Sequence, residues 1–362
     1  MSYTNGLDDP SAHFQNVLWT GDGSAGNAVT FDGNSDMQPD FVWSKRRDVG
    51  YGHVLKDTSR GGTSNNDVHL VSNTTAADST YAAYRMDFNS DGFTLDGSGD
   101  SGFQASGTSM VSWAWKANGG TTAAFSESGA NPGGTRQTNT TAGFSIIAYT
   151  GTGSNGTIAH GLPSTPEFII FKRRNNANVW ATWHQGIGDD YKLVLNDSAA
   201  QDADGAFMAS TLPTSTNITV GGASVNTNAD NGTYICYAFS PVQGYSKFGK
   251  YVGNGNASGP FVYTGFKPAF VMIKVTSAVE SWVMFDGARK PVNRDDNVAS
   301  LYANTSGAEY TGASYHNIDI LSNGFKVRLT NTAVNASGAS YIYMAFSENP
   351  FVTSQGIPTT AR

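Results

Sequence analysis

The sequence predicts an all-β chain of tandem antiparallel β-sandwich domains, jelly-roll or concanavalin-like, in three diverged repeats. Three observations lead there. Short β-branched and aromatic runs of about four to eight residues alternate with Gly, Asn, Asp and Ser clusters, with no long 3.6-residue periodicity between them. Glu occurs only at positions 127, 167, 280, 309 and 348 against a large excess of Asp, and Asp favours turns and caps where Glu favours helix. The third observation is self-similarity, because one order of landmarks recurs three times.

Each repeat opens with an aromatic and a glycine-spaced turn: Trp19-Thr20-Gly21-Asp22-Gly23, Tyr149-Thr150-Gly151-Thr152-Gly153 and Tyr251-Val252-Gly253-Asn254-Gly255. A Pro-led apolar run closed by Lys follows, at Pro39 to Lys45, Pro166 to Lys172 and Pro268 to Lys274. Twelve positions after Phe41, Phe168 and Phe270 come His53, Trp180 and Trp282, each opening another short apolar segment. The third landmark is Gly92-Phe93, Asn217-Ile218 and Gly324-Phe325. Asp91-Gly92 and Asn323-Gly324 read as hairpin turns in which Gly supplies a positive φ, and the second repeat, with Thr216-Asn217, should turn differently. Every repeat closes on an aromatic strand, Met110 to Lys116, Tyr234 to Ser240 and Tyr341 to Ser347. In the last of these, Ile342, Met344 and Phe346 alternate toward a core while the tyrosines face outward or a neighbour.

The boundaries follow as an N-terminal arm 1–13, repeats at 14–117, 143–243 and 244–348, a Gly/Ser/Thr linker or clasp at 118–142, and a C-terminal tail 349–362. Charged residues make up only 14% of the chain while aromatics reach 12%, which argues for a packed core rather than disorder. A formal net charge of −7 argues against a grip on nucleic acid, which rests on Lys and Arg contacts. No apolar run is long enough for membrane insertion and the first residues lack a signal-peptide pattern. The single Cys236 reads as a small core residue.

No motif in the chain predicts catalysis, a metal or a cofactor. His160 lacks a nucleophile elbow and reads as a loop or capping residue. Asp189-Asp190 and Asp295-Asp296 read as solvated loop acids, since neighbours on a strand face opposite ways and neither doublet alone flanks a glycosidic bond. Asp202-Ala203-Asp204-Gly205 resembles the start of a calcium loop but lacks the closing Glu, and reads as a turn. The basic triplets at 45–47 and 172–174 read as solvated strand ends or subunit contacts. Trp180-Ala181-Thr182-Trp183-His184 is the most informative local feature. Strand alternation puts the two tryptophans on opposite faces, so one can be core while the other, with His184, forms a candidate glycan platform; core or interface packing is the competing reading.

Pro39 through Arg47, His53-Val54-Leu55-Lys56-Asp57-Thr58-Ser59-Arg60-Gly61, Asp91 through Leu95 and Trp113-Ala114-Trp115-Lys116 together resemble a family of bacteriophage virion domains frequent in marine phages. The first repeat carries the likeness best; the later two, and the ending Asn349-Pro350-Phe351 through Arg362, resemble diverged relatives. The resemblance implies a non-enzymatic virion structural protein, assembled in the host cytoplasm and resident in the virion. Within that class the reading is a tail fibre or tail-associated host-adhesion protein. The alternatives are a capsid decoration or head-fibre protein and, third, a tail-borne glycan depolymerase. Expected partners are other tail or capsid proteins, a host surface glycan and further copies of the chain. No heptad or collagen-like repeat specifies an oligomer, and three tandem copies also allow a monomer of pseudo-threefold shape.

Overall fold

The computed structural model describes residues 4, 6–97, 100–293, 299–312 and 316–359. The chain is nearly all β, arranged in multiple antiparallel sheets. One strand order occurs three times. In the first repeat Phe14–Thr20, Ser109–Trp115, Phe41–Arg46 and Val54–Asp57 lie side by side. Phe144–Thr150, Thr233–Phe239, Phe168–Arg173 and Trp180–His184 repeat that order, as do Ser246–Val252, Ser340–Pro350, Phe266–Val275 and Val283–Asp286. The closing aromatic strand is therefore second in this recurring four-strand order, paired on both edges.

Each main sheet is buried on both faces, which explains the near-continuous apolar runs of its central strands. One face packs on a small outer sheet of the same repeat. In the first repeat the outer strands Asn27–Val29, Phe93–Leu95 and Met86–Phe88 bring Val29, Phe93 and Leu95 against Val42, Val54, Met110 and Ala114. In the third, Ser258–Tyr263, Gly324–Arg328 and Asn317–Leu321 bring Val262, Phe325 and Ile320 against Val271, Tyr341 and Tyr343. The second repeat keeps two outer strands, Gly156–Ala159 and Asn217–Val220. The opposite faces of the three main sheets meet in one shared core. At its centre Phe41 stacks on Tyr237 at 4.4 Å between ring centroids, Phe14 on Phe346 at 5.2 Å and Phe168 on Phe248 at 6.2 Å, while Phe239 meets Phe346 edge-on at 5.7 Å. Every one of these contacts joins two different repeats, and aromatic pairs in such geometry contribute beyond the area they bury.

Several expectations change here. Tyr341 and Tyr343 are as buried as Ile342, Met344 and Phe346, because the second face of the strand meets the outer sheet rather than solvent. The stretch 118–142 is not a bare linker. Ala123–Phe125 and Gly133–Asn139 form a hairpin that extends the second main sheet from its Phe144–Thr150 edge, since alternating polar residues suffice for a strand exposed on one side. Gly92 adopts φ +91° as the turn reading requires, but Gly324 takes no positive φ. What the two glycines share is crowding, as a Cβ on either would collide with the carbonyl oxygen of Val29 or of Val262 on the adjacent outer strand. Cys236 lies in the core as expected.

Candidate functional site

The predicted platform residues are all interior. Trp180, Trp183 and His184 are buried, so none offers a face to a sugar, and the structure corrects that assignment. Trp183 donates its indole N–H to the Gly188 carbonyl at 2.7 Å, folding the turn after its own strand. His184 accepts from the Gly186 amide at Nδ1 and lies 3.2 Å from the Tyr343 carbonyl at Nε2, a contact between the second and third repeats. Burial holds its pKa down at about 4, so the ring is neutral at pH 7 and Nε2 is the donor.

Trp180 belongs to a device used three times. Its indole N–H donates to the Val71 carbonyl of the first repeat at 3.1 Å. Trp282 of the third repeat donates in the same way to Val194 of the second at 2.9 Å. His53 of the first closes the circle, its Nε2 lying 2.9 Å from the Tyr302 carbonyl of the third while Nδ1 accepts from Trp43. Burial pushes His53 down to about 3, which keeps it neutral. An asparagine two residues beyond each acceptor, Asn73, Asn196 or Asn304, accepts at its side-chain oxygen from the amide of its own repeat's ring-bearing residue, His53, Trp180 or Trp282. Five residues further on, the amides of Asp78, Gln201 and Glu309 each donate at 2.8 Å to the next repeat, at the carbonyls of Arg174, Thr276 and Arg47. The three repeats thus form a closed ring of like joints.

The joints differ in charge. Between the first and second repeats, Arg60 pairs with Asp57 at 2.5 Å and Asp78 at 3.0 Å, Arg174 pairs with Asp78 at 2.6 Å, and Tyr237 donates to Asp57 at 2.7 Å. Between the third and first, Arg289 pairs with Asp286 and Glu309, Arg47 with Glu309, and Trp113 donates to Asp286. The same positions at the second–third joint hold His184, Ile187, Gln201, Thr276 and Met344, a neutral set. Nor is the lysine of each basic triplet solvated. Lys45 and Lys172 are buried, as is Lys274 of the third repeat, each amine donating to the next residue's carbonyl, and burial lowers each pKa to about 8.

The remaining candidates are local. His160 caps its own turn by accepting from the Leu162 amide. Lys192 reaches both Asp202 and Asp204, at 2.9 and 2.8 Å, so an ammonium sits where a calcium loop would place its ion. The Asp190 carbonyl accepts from Asp204, tying that loop to its neighbour. Asp295 and Asp296 lie outside the described residues. Among the described residues no group of three or more His, Cys, Asp or Glu could hold a metal.

One surface feature is absent from the sequence reading. On the outer edge strand Ser258–Tyr263, Val262 points into the core while Phe261 and Tyr263 are 48% and 47% exposed on the other face. Lys247 lies over the Tyr263 ring, 5.2 Å from its centroid, and donates to the Tyr263 carbonyl at 2.8 Å. Two cavities of about 380 and 440 Å³ flank this pair and share Lys247 and Tyr263 in their walls. Gln185 stands at the margin, donating to Glu167 at 2.7 Å and to the Phe248 carbonyl at 2.5 Å. Burial raises the Glu167 carboxyl to about 7 against the pull of Lys247. The pairing registers superpose Phe261 and Tyr263 on Ala28 and Thr30 of the first repeat and on Thr157 and Ala159 of the second, so only the third repeat carries the aromatics. Extending the repeat alignment to the outer strands was the signal that finds them.

A family model described as a domain of unknown function, DUF7483, matches residues 9–350 and so runs through all three repeats. No curated protein and no solved structure matches the chain. The chain belongs to the DUF7483 family.

Proposed function

We propose that the protein is a non-enzymatic structural protein of a bacteriophage virion, serving in the tail as a fibre or host-adhesion component. The closed ring of three like repeats carries this reading. Fibre proteins are often trimers, and here one polypeptide builds a three-part body about a common aromatic axis. Several of its chemistry-bearing side chains, the indoles of Trp113, Trp180 and Trp282, the amines of Lys172 and Lys274 and the Asp/Glu–Arg networks, are spent on joining repeats. The outer sheets and their loops remain for contact with other virion proteins, with further copies of the chain and with a host surface glycan. The same outline favours a second reading, a decoration protein seated on a local threefold of the head. Tagging the C-terminus, imaging the label on purified virions and measuring stoichiometry against the major capsid protein separates the two. A few to some tens of copies at the tail is the expected result; hundreds over the head would establish decoration, and absence from virions would end both.

A further inference from the structure

We propose that the groove around Phe261, Tyr263 and Lys247 on the third repeat is a carbohydrate-binding site for a chain of pyranose sugars. The inference rests on the adhesion reading and names the surface that performs it.

Exposed aromatics on a β-sheet usually pack against something, and equivalent positions of a repeat protein normally keep the same role. Here Ala28, Thr30, Thr157 and Ala159 show that the fold places no demand for a ring at these positions. Phe261 and Tyr263 are two residues apart on one strand, hence on one face and about 7 Å apart along it. The carbon-bound hydrogens of a pyranose form an apolar face that lies on an aromatic ring, while its rim hydroxyls require donors and acceptors beside that ring. Lys247 supplies ammonium hydrogens from over one face of the Tyr263 ring, 5.2 Å from its centroid. Gln185 and Glu167 supply an amide and a carboxyl already bonded to each other, which fixes their orientation. Neither the second carboxyl oxygen of Glu167 nor the amide oxygen of Gln185 has a hydrogen-bond partner among the described residues, so both remain available to vicinal hydroxyls. A site that combines stacking faces with convergent, mixed donors and acceptors suits a neutral polyhydroxylated ligand better than a nucleotide or a greasy peptide.

The test uses the intact protein on an array of immobilised tetra- to hexasaccharides of glucose, galactose, mannose and N-acetylglucosamine. A Phe261→Thr/Tyr263→Ala double variant gives the third repeat the outer-strand residues of the second, a combination the fold already accommodates. Retention of the parent protein on at least one sugar, with affinity reduced on the order of tenfold or more in the double variant, is the expected result. In Phe261→Trp the new exposed indole should change its emission as that sugar is added. Parent protein unretained by every sugar at millimolar concentration, or retained equally by the double variant, overturns the proposal. Self-association abolished by the double variant, with a blank array, also overturns it and makes the patch a contact between copies. Virion location is measured separately: tail labelling with a blank array removes the site but leaves the virion reading, whereas sugar binding by a protein absent from virions does the reverse.

Discussion

Replacing Arg60 by Ile tests whether the charged joints are mutually dependent networks. Arg60 and Asp57 are both fully buried, and Asp57 also receives the Tyr237 hydroxyl. Removing the guanidinium leaves a buried carboxylate with its counter-charge gone, and breaking such a pair from one side costs about 3–5 kcal/mol. For a chain of this size that is a fall of about 6–10 °C in the unfolding midpoint, at about 2 °C per kcal/mol. The protein already contains the neutral alternative, because the second–third joint holds His184, Ile187, Gln201, Thr276 and Met344 at the same positions. Transplanting that set whole, as Asp57→His, Arg60→Ile, Asp78→Gln, Arg174→Thr and Tyr237→Met, should recover stability to within about 1 kcal/mol of the parent, since exchanging an entire buried ion pair for packed neutral residues is often close to neutral. Guanidinium unfolding followed by tryptophan fluorescence, with calorimetry as a second probe, gives both values. The reasoning is refuted if Arg60→Ile alone lies within about 1 kcal/mol of the parent, or if the five-site variant is no more stable than the single one.

Acid should weaken the ring through its buried imidazoles. His53 and His184 are held at about 3 and 4, so below the ordinary value of 6.5 the unfolded chain binds protons that the native one refuses. Stability then falls from pH 6.5 toward 4 by about 1.4 kcal/mol per pH unit for each ring; denaturation at a series of pH values should show a shallower slope in His53→Gln, and an unchanged slope would contradict the assignment. Gly324→Ala should lose about 1–3 kcal/mol through collision with the Val262 carbonyl, despite its ordinary φ; an unchanged denaturation midpoint would show that the outer strands can separate freely. Cys236 is buried with its thiol pushed well above the usual range by desolvation, so a thiol reagent at pH 8 should leave the native protein unlabelled and react fully in guanidinium. Rapid native labelling would mean that the shared core opens.

Strand identity was legible in the sequence because it is local. The Pro-led runs, the Gly-Phe landmarks and the aromatic closing strands all fall where alternation and turn residues put them. What could not be read is whatever depends on the second face of a sheet. Tyr341 and Tyr343 look outward until the outer sheet is placed over them. Trp180 and His184 look like parts of a platform until neighbouring repeats cover them, and Trp183 until the turn after its own strand is folded onto its indole. The lysines of the basic triplets look solvated because an amine satisfied by its own next carbonyl leaves no mark on the pattern. His53, Trp180 and Trp282 were visible as aligned residues, yet their role was not, because the carbonyl each one reaches lies in another repeat and a carbonyl carries no sequence signature.

The joint between the third and first repeats is the one across which no peptide bond runs, and it is shut by Arg47 and Glu309 at 2.9 Å together with the His53 contact. In a trimer of separate subunits all three such seams would come apart on dilution, to an extent set by subunit concentration. Here the two tethered joints hold the edges of the third at an effective concentration in the millimolar range, independent of how many molecules are in solution. At high dilution the single chain keeps this assembly intact where a non-covalent trimer must survive on kinetic trapping alone.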